Sequence, residues 1–224
     1  MIYAMSDLHG CFYAYLDMLK KIDLGDEDTL YILGDVIDRG LYGIDILFDM
    51  MERPNVKPLI GNHEDMALPV MRAIAAGKVI GDPDDHRLWM YNGGETTKIA
   101  FRALSAEKQR QIIAYIESFT LREELSVGER RFHLSHSLPE YVPGVDIGKA
   151  SYEDLIWGRP DYSRCYQKDI LCVTGHTPTM LIAETYAGTI FRENNHLAID
   201  CGAVFYDGRL GCICLDTLEE FYVD

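Results

Sequence analysis

Five places in this 224-residue chain put acidic, amide or imidazole side chains directly after an apolar run. They are Asp7-Leu8-His9-Gly10, Gly34-Asp35-Val36-Ile37-Asp38-Arg39-Gly40, Gly61-Asn62-His63-Glu64, His136, and Gly175-His176-Thr177. Oxygen and imidazole donors without a thiolate suit hard-to-borderline divalent cations such as manganese, iron or zinc. Two such ions about 3.5–4 Å apart need a bridging carboxylate and activate a shared hydroxide for in-line attack on phosphorus. A single Asp or His at a strand end is weak support, because such residues also cap helices and form turns; Asp7 alone reads as an N-cap. Five places in succession, usually beside a glycine that lets backbone approach closely, point to one site.

The elements that must position them follow from periodicity. Apolar runs at 2–5, 30–33, 56–60, 131–134, 170–173, 196–199 and 210–215 read as buried strands. Helical patterns lie between them at 13–22, 44–51, 65–76 and 106–119, the last with Ser105 as N-cap. Strand–helix alternation in the first half implies βαβ units and a parallel sheet. The last part is mostly strand joined by turns such as Tyr206-Asp207-Gly208-Arg209, so a mixed sheet is expected. In open α/β sheets ligands bind just beyond the carboxyl ends of strands, where the polar clusters fall. No repeat or Ser- or Pro-rich linker interrupts the chain, so residues 1–224 are expected to form one domain.

Composition narrows the partners. With 21 Lys and Arg against 36 Asp and Glu, the net charge is −15, which argues against nucleic acid or an anionic membrane surface. It leaves open an anionic substrate at a site of locally reversed charge. The 48% hydrophobic content excludes disorder. No run approaches the roughly 18 apolar residues of a membrane span. The first seven residues carry no basic region and reach a carboxylate at Asp7, so no secretion signal is expected. Six cysteines diluted through such a chain are expected as reduced thiols in the cytoplasm. Cys212 and Cys214 would share one strand face, and without a second pair core packing outweighs zinc.

The motifs Asp-x-His-Gly, Gly-Asp-x-x-Asp-Arg-Gly and Gly-Asn-His-Glu resemble the signature of the metallophosphoesterases, in their phosphoprotein-phosphatase branch. The resemblance covers nearly the whole chain, through residues 88–94, 156–159, 175–178 and 199–205, and is strongest to the phage and bacterial Ser/Thr phosphatases. It implies an α/β calcineurin-like fold, a mixed β-sandwich flanked by α-helices. It also implies two divalent ions, manganese first, with iron or zinc as alternatives. By the same resemblance Asp7 and His9 bind the first metal, Asp35 bridges both, and Asn62, His136 and His176 complete the second. Arg39 and Arg159 grip the phosphate, and His63 protonates the leaving oxygen, oriented by Asp38. The implied reaction is hydrolysis of phosphoserine, phosphothreonine and phosphotyrosine monoesters by a metal-bridging hydroxide. Guanidinium groups match phosphate bidentately and keep their charge, and an imidazole near neutrality can hand a proton to an alkoxide.

Simpler readings compete at several positions. His133 lies mid-strand and His136 at the strand's end, which favours His136 as the ligand. His86 and His196 have no motif and read as structural. Glu64 opens a helical run, where an acid steadies the helix dipole. Trp89 and Trp157 either line the site entrance or fill core, and Trp157 could position Arg159. Asn92-Gly93-Gly94 reads locally as a turn, and Met66 and Met71 read as a helix core face. Ile60, where the family commonly has Arg, Ser137-Leu138, and Cys201 in place of Thr depart from the pattern and bear on substrate preference. The rival activity is dinucleoside polyphosphate hydrolysis on the same metal core. A non-catalytic scaffold is disfavoured because His63, Asp38, Arg39 and Arg159 are all present.

Overall fold

Tyr3 and Met5 point to one side of the first strand and Ala4 to the other, and this alternation sets the layers of the protein. The structure is a computed structural model that describes residues 1–224. Strands β1 (Ile2–Met5), β2 (Thr29–Leu33) and β3 (Val56–Leu59) pair in parallel, linked by α1 (Phe12–Lys21) and α2 (Gly43–Met51). After β3 come α3 (Asn62–Ala75), α4 (Pro83–Tyr91), α5 (Glu95–Ala103) and α6 (Ala106–Glu117). A second sheet begins with β4 (Arg122–Val127) and β5 (Arg130–Ser135), followed by α7 (Tyr152–Trp157), β6 (Ile170–Thr174) and α8 (Thr179–Ile182). It is completed by β7 (Phe191–Glu193) and β8 (His196–Ala198). The chain then returns to the first sheet as β9 (Leu210–Cys214) and β10 (Glu220–Val223).

The first sheet has the order β10-β9-β1-β2-β3 and the second β4-β5-β6-β8-β7. Each has three parallel strands and antiparallel partners at the edge, so both sheets are mixed. Tyr3, Met5, Leu30, Ile32, Val56, Cys212 and Cys214 meet the helices. Both cysteines are thus core residues on one face, and all six thiols are free. Ala4, Leu33, Leu59 and Ile213 meet Phe132, Leu134, Val173 and Leu197 across the sandwich. Phe132 is buried there, and its loss to Ala should cost about 3–5 kcal/mol.

The expected boundaries change at instructive places. Helix α3 begins at Asn62 rather than 65, so Asn62 and His63 form its first turn. Helices α4 and α5 fill what read as irregular chain; both are half-exposed, yet Asp82 caps the first, with Pro83 in its first turn. The turn at 206–209 closes no hairpin, because β8 and β9 lie in different sheets. Strand β4 is an edge strand with only Val127 fully buried, which hides its period. No helix is long and apolar enough to cross a membrane.

The carboxyl ends of both parallel sets meet. Leu33, the last residue of β2, accepts a hydrogen bond from His136 Nδ1, one residue past β5, at 2.6 Å.

Candidate active site

Backbone geometry at these strand ends is unusual. Ten non-glycine residues have positive φ, and six of them are Asp7, His9, Asp35, Asp38, Arg39 and His176. Such conformations cost energy for side chains with a Cβ and persist where the surroundings over-determine them. Here Asp7 N–H is held by Gly34 O at 3.1 Å, His9 N–H by Asp35 O at 2.9 Å and Arg39 N–H by Gly93 O at 3.0 Å. The turn Asn92-Gly93-Gly94 therefore borders the site. Gly34 (φ +85) lies so close to Gly61 that a Cβ there would stand 2.5 Å from the Gly61 Cα. A Cβ at Gly175 would fall 2.2 Å from Asp7 Oδ2. Those two glycines let four loops close on one volume.

Two groups of donors converge, His9 with Asp35 and His63, and Asp35 with His136 and His176, each with ligand atoms within 4.8 Å. Asp35 belongs to both. Its Oδ2 lies 3.7 Å from His9 Nε2 and 3.8 Å from His63 Nε2, and its Oδ1 lies 3.4 Å from His136 Nε2. Asn62 Oδ1 is 2.9 Å from both His136 Nε2 and His176 Nδ1. Asp7 sits slightly apart: its Oδ1 is 4.0 Å from His9 Nε2, and its Oδ2 accepts the His176 N–H and the Ser6 hydroxyl. All seven residues expected from the sequence around the metals and the acid, Asp7, His9, Asp35, Asn62, His63, His136 and His176, are brought together.

The donor chemistry fits divalent ions. His9 and His136 direct Nδ1 at the carbonyls of Ile37 (3.0 Å) and Leu33 (2.6 Å), which only accept. Each Nδ1 therefore carries a proton, which leaves Nε2 as the atom that would bind a metal, the usual arrangement of a metal-binding imidazole. His136 Nε2 faces Asn62 Oδ1 and, at 3.1 Å, His176 Nδ1, so three atoms able to bind a metal lie together. Burial opposes a charge on His136, yet Asp35 and Asp7 lift it to about 10. Burial instead lowers His9 to about 3 and His176 to about 2. Burial, with Asp35 beside it, raises the Asp7 carboxyl to about 6, while His136 works the other way.

His63 is built differently. Its Nδ1–H donates to Asp38 Oδ2 at 2.7 Å, and the Trp89 indole N–H donates to the same oxygen at 2.8 Å. Thr97 Oγ1 accepts the Asp38 N–H at 2.8 Å. Burial disfavours charge on His63, but Asp35 and Asp38 outweigh it and the net shift is upward. Arg39 lays Nη1 2.7 Å from His9 Nε2 and Nη2 3.2 Å from His63 Nε2, so its guanidinium spans the two imidazoles of the first group. Arg159 is exposed and its side chain makes no hydrogen bond within the chain, so it is not drawn into the buried cluster; its charge is one of those that oppose protonation of His176. Trp157, two residues earlier, stands edge-on to the His176 ring with centroids 6.4 Å apart.

The simpler readings sort cleanly. His133 is buried mid-strand with neither ring nitrogen hydrogen-bonded, and His196 bonds Thr174 at 2.9 Å, both away from the site. His86 pairs with Lys98 at 2.7 Å. Trp89 is core, and its indole also touches the site through Asp38. Glu64 does more than steady a dipole: it accepts from the N–H groups of Gly61, Asp35, Val36 and Ile37. Its place three residues after Gly61, as the return half of a capping box, was the available signal.

Residues 1–196 match the family Calcineurin-like phosphoesterase, and the chain belongs to it. It is a hydrolase of the calcineurin-like metallophosphoesterases, which work with divalent metals. Serine/threonine-protein phosphatase 2 of Salmonella typhimurium is 24% identical over 215 residues, covering 93% of this chain and 90% of that protein. The symmetrical bis(5'-nucleosyl)-tetraphosphatase of Chromobacterium violaceum is 32% identical over 83 residues, 36% of this chain and 29% of that longer protein. A solved structure described as a candidate diadenosine tetraphosphatase superposes with a TM-score of 0.69 at 14% identity, over 99% of this chain and 92% of that one. That likeness establishes the shared fold.

Proposed function

We propose that this protein is a metal-dependent phosphatase of phosphoserine and phosphothreonine in proteins, with phosphotyrosine as a further substrate. The observation that carries the reading is the His63–Asp38 pair standing against the Asp35-centred donor groups, with Arg39 across both. Asp7, His9 and Asp35 would hold one ion and Asp35, Asn62, His136 and His176 the other. Bound there, divalent ions supply a nucleophilic water at neutral pH and polarise phosphoryl oxygens. Arg39 and Arg159 bind and orient the phosphate by charge-assisted hydrogen bonds. His63 delivers a proton from Nε2 to the departing oxygen, and Asp38 keeps the ring turned and charged. Burial of Asp35 and His63 keeps bulk water from screening these charges.

The match along 90% of a Ser/Thr phosphatase supports the protein substrate. The partial match to a symmetrical tetraphosphatase favours a second reading, hydrolysis of dinucleoside polyphosphates. Parallel turnover of a phosphopeptide panel and diadenosine tetraphosphate, each with manganese, separates the two. Higher kcat/KM on phosphopeptides is expected, and the reverse order overturns the proposal.

A further inference from the structure

Around Arg39 the surface turns apolar. Tyr13, Leu41, Phe205 and Tyr206 are 65%, 66%, 43% and 100% exposed, and Tyr42 joins them. They form two banks. On one, the Tyr42 ring lies 5.6 Å from that of Tyr13 and 6.5 Å from that of Phe12, with Leu41 beside it in sequence. On the other, the Phe205 ring lies 6.0 Å from the Arg39 guanidinium carbon, and Tyr206 follows. The banks are tied at their base, where the Cys11 thiol reaches Ala203 O at 3.6 Å and Tyr42 N–H reaches Gly10 O at 3.3 Å. Single exposed apolar side chains need no explanation, but a contiguous patch that begins at a phosphate-binding arginine does.

Geometry links this rim to the leaving group. The departing oxygen must come within hydrogen-bond reach of His63 Nε2, which is 3.2 Å from Arg39 Nη2. Whatever is attached to that oxygen therefore leaves the site alongside Arg39. An extended chain advances about 3.3–3.6 Å per residue, so a neighbour one or two positions from the phosphorylated residue comes level with Phe205, 6.0 Å from the Arg39 guanidinium, and with the exposed side chains that adjoin Arg39 and Phe205 in sequence. Asp207 follows Tyr206 and is exposed, but the rim itself is built of Tyr13, Leu41, Tyr42, Phe205 and Tyr206, so the fitting occupant is an aromatic or large aliphatic side chain.

We propose that this rim is a specificity subsite selecting phosphoprotein segments with an aromatic or large aliphatic side chain within two positions of the phosphorylated residue. It rests on the phosphoprotein reading above. Tyr206 and Leu41 lie outside the proposed metal-binding and acid–base set, and their exposure lets both be changed without disturbing the core. The test compares phosphoserine peptides that differ only in carrying Phe or Ser at each of the two positions on either side. Wild-type protein should show about 10-fold higher kcat/KM for the best Phe peptide, mostly through KM. The double variant Leu41→Ser, Tyr206→Ser should lose that preference, with turnover of glycerol 2-phosphate, which has no apolar group, unchanged. Phosphopeptide hydrolysis without any preference, or a preference that survives the double variant, overturns the subsite and leaves the phosphoprotein reading standing. Hydrolysis of diadenosine tetraphosphate with no phosphopeptide turned over overturns both.

Discussion

The Glu64 carboxylate holds the main chain of Asp35: its Oε2 accepts the Asp35 N–H at 2.9 Å while Oε1 accepts that of Val36 at 2.9 Å. Burial and the nearby Asp35 charge push the Glu64 carboxyl up to about 7, and the N–H bonds pull against that shift. So a residue on α3 fixes the positive-φ backbone at the carboxylate shared by both donor groups.

Glu64→Gln should therefore damage both fold and site. The amide keeps one acceptor oxygen and turns an NH2 toward main-chain N–H groups, so buried donors lose partners. We expect a loss of about 1–3 kcal/mol, a Tm lower by about 2–12 °C, and a drop in kcat. Thermal melts and steady-state kinetics measure both. Wild-type Tm and kcat in this variant would mean that other contacts fix Asp35.

How much of this was legible in the sequence depends on whether a residue's role is local. Polar residues after apolar runs marked Asp7, Asp35, Asn62 and His176, and His136 was separable from His133 by its place at the strand's end. A mixed sheet follows from the same runs, whereas the two-sheet sandwich was implied only by the family resemblance. Positive φ at Arg39 was invisible, because only Gly, and to some degree Asn, Asp and His, advertise it by residue type. The Glu64 and Trp89 contacts were equally hidden, since they join residues 29 and 51 positions apart across packed elements. Helix α5 escaped because only Thr97 and Phe101 of its residues are buried, leaving little period to read.

The Asp38 Oδ2 atom has two donors, His63 Nδ1 and Trp89 Nε1, so orientation and charge can be separated. His63→Asn should lower kcat on an alkyl phosphate by roughly 10²–10⁴, and less on p-nitrophenyl phosphate, whose phenolate leaves with little help. Asp38→Asn should show the same dependence in weaker form. Rates across a leaving-group pKa series test this. Equal damage on all esters would reassign His63 to the first metal group, where its ring nitrogen already stands.

The two arginines should behave differently. Arg159 is exposed and makes no internal hydrogen bond, so Arg159→Ala should leave Tm unchanged, raise KM and weaken inhibition by inorganic phosphate. Arg39 already touches His9 and His63, so Arg39→Ala should lower kcat as well. Phosphate inhibition constants and kcat measured in parallel check both. Identical profiles would contradict the assigned geometry.

The central claim is that Asp35 joins two metal positions on which hydrolysis depends, and its most direct test is turnover against metal content in chelator-stripped protein. Stripping should reduce hydrolysis of p-nitrophenyl phosphate by at least about 10²-fold, and manganese should restore it as metal content rises toward two ions per chain. Asp35→Asn should fall short of full occupancy at both positions and stay low in activity at any manganese concentration. Undiminished turnover after exhaustive chelation, or an Asp35→Asn variant that loads two ions and turns over normally, would contradict the account.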